Sequence, residues 1–173
     1  MTLSSSSNTI NALGIFGRLE AKQEEYFLDL SKKYSQYPKN NEAIGIFNHL
    51  SLVVNYDVEI GRVSLYIDLL RKLESFLPYK IRVTGPIIID GKHLALSFDI
   101  KQTQKIRDLA KKISLGHVVE TYYTKVVWYV PKKKQQEVAD MLKSIKEMTF
   151  YDFKLCANRQ EDKSTLYSSL KFR

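Results

Sequence analysis

The order of strand and helix signals in this chain repeats itself, and this repetition limits the folds that the chain can adopt. In the first half, apolar periodicity predicts a strand at 12–19, a helix at 20–36, a strand at 44–54, a helix at 63–77 and a strand at 81–89. The second half follows the same order, at 94–100, 103–113, 122–130, 132–148 and 150–157, with a further strand at 165–172. Asp90-Gly91, a strong hairpin signal, lies between the halves.

We therefore predict an α+β fold that is two-lobed and internally duplicated, with lobes at about 12–90 and 91–173. Mixed or antiparallel sheets would surround a central groove, with the helices outside and a pseudo-twofold axis between the lobes. The Ser-rich start, residues 1–11, is predicted to be a disordered tail. The length of 173 residues fits one domain or two small, closely packed lobes.

The chain is basic, with 27 Lys and Arg against 19 Asp and Glu and a formal net charge of +8. Such an excess favours anionic partners such as nucleotides, RNA or acidic surfaces, although a general compositional bias explains it equally well. The single cysteine, Cys156, indicates a reducing compartment, and we predict a cytoplasmic protein. The sequence has no apolar run that approaches the roughly 20 residues needed to span a bilayer, so no membrane is expected.

His49-Leu50-Ser51-Leu52 is the most informative local motif. Residues two apart in a strand point to the same face, so His49 and Ser51 should project together while Leu50 and Leu52 face the core. The second strand of the second half offers Lys125-Val126-Val127-Trp128, and Lys125 follows His49 by 76 positions. On this spacing, Lys125 and Val127 stand where His49 and Ser51 stand in the first half.

These two segments resemble the paired His-x-Ser/Thr motifs of the 2H phosphoesterase superfamily, also called the 2′-5′ RNA ligase-like or cyclic phosphodiesterase group. The resemblance covers about residues 12–172. It includes Gly45-Ile46-Phe47-Asn48 before the first motif, the aromatic context Tyr123-Thr124 before Lys125, and a terminal strand, polar loop and strand. It implies a single domain of that fold and activity on 2′,3′-cyclic, 2′-5′ or related nucleotide phosphodiesters, without a metal or cofactor.

In that family one histidine takes a proton and the other donates one to the leaving oxygen, while the hydroxyls hold the nonbridging phosphate oxygens. The resemblance thus implies that His49 is an acid/base and Ser51 a phosphate contact. Lys125 and Val127 depart from the pattern. A free lysine has a pKa of about 10.4, against about 6.5 for a free histidine. Lys125 is therefore expected to be a cation and a poor base.

We therefore predict a protein that binds a nucleotide or RNA-end phosphate in a basic groove, with reduced or lost phosphodiesterase activity. One alternative is an active, metal-independent phosphodiesterase in which His49 is essential and Lys125 acts electrostatically. Another is an interaction module with a vestigial groove that docks a protein partner.

Other residues are weaker candidates for binding. Tyr123 and Tyr129 flank the second motif, and Tyr129, predicted to share a face with Lys125, would stack on a base. His117 lies in a predicted loop from which it would swing toward the groove, and Arg18 and Arg159 are groove cations only by analogy with the family. Trp128 is predicted to be core and His93 a plain strand residue. The histidines lack metal-site spacing, and no Gly-rich phosphate loop is present.

Overall fold

The structure is a computed structural model that describes residues 8–36, 49–113, 122–161 and 164–169. Seven strands lie within these ranges: β1 (Thr9–Leu19), β2 (His49–Glu59), β3 (Tyr79–Ile89), β4 (His93–Phe98), β5 (Tyr123–Val127), β6 (Glu147–Glu161) and β7 (Ser164–Ser169). The helices are α1 (Ala21–Tyr34), α2 (Val63–Glu74), α3 (Ile100–Ile113) and α4 (Gln135–Leu142), with short 3-10 turns before α2 and α4.

All described strand pairs are antiparallel, and the strands follow the order β2-β1-β6-β3-β4-β5, with β7 paired to the far end of β6. The two central strands join the lobes, since Tyr79–Arg82 of β3 pairs with β6 while Val83–Ile89 pairs with β4. The predicted α+β class is therefore confirmed. The sheet is antiparallel and open, and its end strands β2 and β5 pack against each other without pairing.

The helices cover the sheet with apolar faces at helical spacing. In α1, Phe27, Leu30 and Tyr34 are buried, and in α2, Tyr66, Leu69, Leu70 and Leu73 are buried. α1 packs on β5 whereas α3 packs on β2, so each of these helices crosses to the other lobe. The resulting core includes Leu13, Ile15, Leu50, Leu52, Leu94, Leu96, Phe150 and Leu155.

Several predicted boundaries are wrong. β1 begins at Thr9 and pairs with Glu59, so residues 9–11 belong to the sheet and not to a tail. The predicted helix at 132–148 is α-helical only over α4, because Glu147 and Met148 pair with Arg82 and Ile81 of β3. The polar loop predicted between the strands at 150–157 and 165–172 begins as strand instead, since β6 continues to Glu161. Residues 1–7, 37–48, 114–121, 162–163 and 170–173 lie outside the described ranges.

Candidate functional site

The first motif lies at the start of β2. His49 is the first residue of this strand and is placed opposite Arg18 of β1, while Ser51 is opposite Phe16. Leu50 and Leu52 are buried, as predicted, and Ser51 is half-buried. The Arg18 guanidinium is partly exposed and lies 3.5 Å from Oε2 of Glu24. The pairing thus places one candidate groove cation next to the backbone position of His49.

Lys125 lies in β5, at the other end of the sheet order. Its ammonium nitrogen is 3.2 Å from Oδ2 of Asp90 and 4.9 Å from the centroid of the Trp128 ring. The Lys125 side chain is 22% exposed, so the cation is partly desolvated but accessible. An anion that approaches this ammonium must compete with the carboxylate of Asp90.

The strand geometry after Lys125 differs from the prediction. Ala95 pairs with Lys125 and Leu94 with Val127, so Val126 is an extra residue, a β-bulge, in β5. An extra residue reverses the alternation of faces, and Val126 and Val127 are both fully buried. Val127 therefore has no surface available to a ligand. The strand also ends at Val127 instead of Val130, so strand alternation does not place Tyr129 on the face of Lys125.

Tyr129 instead closes a cluster around His93. Tyr129 has a φ of 49° and its backbone N–H donates a hydrogen bond to Nδ1 of His93 at 3.2 Å. The rings of Trp128 and Tyr129 each meet the His93 ring edge to face at 4.7 Å, and Lys92 Nζ lies 5.2 Å from the Tyr129 centroid. Trp128 is half-buried, so its predicted place in the core is only partly correct.

His93 lies on β4, as predicted for a plain strand residue, but its buried aromatic surroundings were not predicted. It is 3% exposed, and burial, followed by the positive charges of Lys125 and Lys92, lowers its pKa, while Asp90 acts in the opposite direction. Nδ1 must be unprotonated to accept the Tyr129 N–H, which agrees with a neutral imidazole. The sequence signal for these surroundings was the Lys92-His93 pair directly after a hairpin turn, with aromatic residues near the end of the predicted strand at 122–130.

The two ends of the sheet meet at this site. β2 packs against β5. α1 links to the same strand, because Ser31 Oγ donates to the Val126 carbonyl at 3.4 Å. The segments that follow α1 and β5 are also joined, since the Gln36 N–H donates to the Tyr129 carbonyl at 3.0 Å. The strands that carry Ser51 and Lys125 are therefore neighbours in space although they are far apart in the sheet order.

The remaining candidates are dispersed or undescribed. Tyr123 is half-buried and its ring contacts that of Tyr122 at 4.8 Å. Arg159 is described only as a β6 position opposite Leu166. His117 lies outside the described residues.

Within the described ranges, no group of three or more His, Cys, Asp or Glu is placed to hold a metal ion, and no helix is both long and apolar enough to cross a bilayer.

Comparison with known proteins relates the chain to others through its structure. No family model matches the sequence, and no curated protein matches it either. Among solved structures, E. coli LigT complexed with 3′-AMP superposes with a TM-score of 0.57 and 13% identity, over 94% of this chain and 96% of LigT. LigT complexed with phosphate gives 0.55 and 14%, over 95% and 96% of the two chains.

A crystal structure of a phosphoesterase gives a TM-score of 0.56 at 13% identity, over 93% of this chain and 96% of that one. The chain therefore has the fold of LigT, which is the fold expected from the resemblance to the 2H phosphoesterases. The resemblance seen in the sequence is confirmed at the level of the fold.

Proposed function

We propose that this protein binds a nucleotide or RNA-end phosphate between β2 and β5, with reduced or lost phosphodiesterase activity. The observation that carries the proposal is the placement of Lys125. A partly exposed ammonium, held by Asp90 and Trp128, lies on the strand that packs against the strand of Ser51. A cation and a hydroxyl on adjoining strands are suited to the nonbridging oxygens of a phosphate.

The fold supports this site, because LigT has been crystallised with phosphate and with 3′-AMP. The chain's own charge of +8 also favours an anionic ligand. Arg18, opposite His49 in the sheet, is a further cation of the same region.

The reduced activity follows from proton transfer. In hydrolysis of a 2′,3′-cyclic phosphate, water attacks phosphorus, one P–O bond breaks, and the ribose oxygen that leaves must gain a proton. His49 would serve as one acid/base, but β5 carries no histidine. The loss of one acid/base partner typically costs on the order of 10²–10⁴ in rate.

The test is to incubate the purified protein, without metal ions, with 2′,3′-cyclic nucleotides, 2′-5′ oligonucleotides and cyclic dinucleotides. We expect binding with little or no turnover, and weaker binding by Lys125→Ala. Lys80→Ala is the matched control, because the Lys80 ammonium also pairs with a carboxylate, Glu147 at 3.4 Å, but lies on β3. Binding that survives Lys125→Ala unchanged contradicts the proposal.

A second candidate function is an active metal-independent phosphodiesterase, favoured by the similarity to structures of phosphoesterases. Turnover that His49→Ala abolishes supports this candidate. If none of the phosphate compounds binds, both functions are excluded, and an interaction module that docks a protein partner is left.

A further inference from the structure

The sheet order is symmetric under an exchange of the two halves. If β1 is exchanged with β4, β2 with β5 and β3 with β6, the order β2-β1-β6-β3-β4-β5 becomes its own reverse. The helices follow the same exchange, since α1 packs on β5 and α3 packs on β2. The two halves can therefore be aligned by their hydrogen-bond registers, independently of spacing along the sequence.

The first marker of this alignment is a bulge on each end strand. In β2, Leu52 is the extra residue, because Ser51 pairs with Phe16 and Val53 with Ile15. In β5 the extra residue is Val126, and its neighbours pair with Ala95 and Leu94. Superposition of the bulges matches Ile15 with Leu94 and Phe16 with Ala95.

A second pair of bulges lies on β6 and β3, the strands that pair with the other edges of β1 and β4. Between Arg18 and Leu19 of β1, the partner strand β6 carries Tyr151 as an extra residue. Between Ser97 and Phe98 of β4, β3 carries Thr84. This pair matches Arg18 with Ser97, so both markers place each β4 residue 79 positions after its β1 counterpart (15 to 94, 18 to 97).

This shared register assigns the second motif differently from the sequence spacing. Ser51 corresponds to Lys125 and His49 to Tyr123, which are 74 positions apart in each case (51 to 125, 49 to 123). The burial pattern agrees. The four residues from Leu50 are buried, half-buried, buried and buried, and the four residues from Thr124 repeat this pattern.

We infer that Tyr123 occupies the place of the second acid/base and Lys125 the place of the phosphate-holding hydroxyl. The inference deepens the proposed function and rests on it. Ser51 and Lys125 would then hold the phosphate from the two strands. The Tyr123 phenol would donate a hydrogen bond to the ligand oxygen opposite His49, but it lacks the ring nitrogen with which a histidine accepts a proton. Val127 is the counterpart of buried Val53 and has no role in the site.

Binding of 2′,3′-cyclic AMP and 3′-AMP, measured by calorimetry, tests the assignment. Tyr123→Phe removes only the hydroxyl and should weaken binding by about two- to tenfold, and Lys125→Met by about tenfold or more. Tyr122→Phe is the matched control, because Tyr122 adjoins Tyr123 but precedes β5 and is 44% exposed. Affinity unchanged by Tyr123→Phe but lowered by Lys125→Met overturns the assignment of Tyr123.

Restoration of catalysis provides an independent test. Tyr123→His combined with Lys125→Thr places His-x-Thr at the positions that the bulges define. It should hydrolyse 2′,3′-cyclic AMP about 10² times faster than the natural chain, and His49→Ala should abolish the gain. Lys125→His combined with Val127→Thr, the arrangement that sequence spacing suggests, should gain nothing. The reverse result overturns the assignment.

These outcomes distinguish failure of the residue assignment from failure of the proposed function. If the natural chain binds the probes and Tyr123→Phe does not weaken binding, only the assignment fails. If the natural chain binds neither probe and neither double variant turns over 2′,3′-cyclic AMP, the proposed function and the assignment both fail. Because Val127 is buried, circular dichroism checks whether the variant with Val127→Thr is folded. The comparison of Tyr123→Phe with Tyr122→Phe does not depend on that variant.

Discussion

The Lys125 ammonium nitrogen lies 3.2 Å from Oδ2 of Asp90, the residue that opens the turn between β3 and β4. Asp90 is the more exposed partner, with 61% of its side chain accessible, whereas Lys125 is 22% accessible. The pair keeps the cation oriented in the absence of a ligand. It also means that a bound phosphate displaces a carboxylate or lies beside it.

Removal of this carboxylate should strengthen phosphate binding. Asp90→Asn preserves the turn, because asparagine tolerates the φ of 54° found there. Since a partly exposed ion pair contributes about 0.2–1 kcal/mol, we expect the affinity for 3′-AMP to rise by a factor of about 1.4 to 5 in calorimetry. Asp68→Asn, which breaks the ion pair with Arg71 on α2, is the control and should change nothing. Weaker binding by Asp90→Asn would contradict this account of Lys125.

The lowered pKa of His93 predicts how the free energy of unfolding depends on pH. Burial, Lys125 and Lys92 lower its pKa in the folded state, while Asp90 opposes them, so the unfolded chain takes up a proton first as the pH falls below about 6.5. The stability that neutral His93 contributes is therefore present above that pH and lost as the pH falls toward the folded-state pKa. Protonation also removes the acceptor for the Tyr129 N–H.

Urea unfolding at pH 7.5 and 5.5 measures this effect. The natural chain should lose more free energy of unfolding between these values than His93→Asn, which cannot titrate at this position. Asp90→Asn should enlarge the loss, because it removes the charge that favours the imidazolium. An equal loss in the natural chain and in His93→Asn would show that His93 does not control this range.

The element order was predictable because periodicity is a local property. The Asp90-Gly91 turn has left-handed φ values of 54° and 65°, as a tight hairpin of this type requires. Helix boundaries were less predictable where a distant strand competes. Apolar spacing continues through Ile145, but Glu147 and Met148 are recruited to pair with β3, so the helix ends at Leu142.

The register of the candidate site could not be predicted from spacing alone. A bulge depends on the pairing register between two neighbouring strands. Nothing in the Val126-Val127 dipeptide itself indicates a bulge. The extra residue in β5 changes the face of every later residue, which is why Val127 is buried and Tyr129 lies beside His93. The burial of His93 among aromatic rings could not be predicted for the same reason, because Trp128 and Tyr129 contact His93 only after β5 has ended.

Trp128 offers a direct optical measure of the Lys125 site. It is the only tryptophan of the chain, and its ring centroid lies 4.9 Å from the Lys125 ammonium. Phosphate binding should draw the ammonium from the ring, so 3′-AMP should change the tryptophan emission with the same midpoint as calorimetry. Lys125→Met should remove the change, whereas Lys33→Met, whose lysine lies over Tyr34 instead, should retain it. A full response in Lys125→Met would place the ligand elsewhere.

Gly14 tests the packing next to the β2 bulge. A Cβ at this position would lie 2.8 Å from two ring carbons of Phe16 and 2.9 Å from the Val53 carbonyl oxygen, a backbone atom that cannot move away cheaply. Gly14→Ala should therefore lower the free energy of unfolding by about 1–3 kcal/mol in urea titrations. Gly61→Ala is the control, since a Cβ there meets nothing within 4 Å, and its effect should stay within about 0.5 kcal/mol. Equal effects of the two substitutions would mean that β1 and β2 do not approach each other as closely at Val53 as the bulge requires.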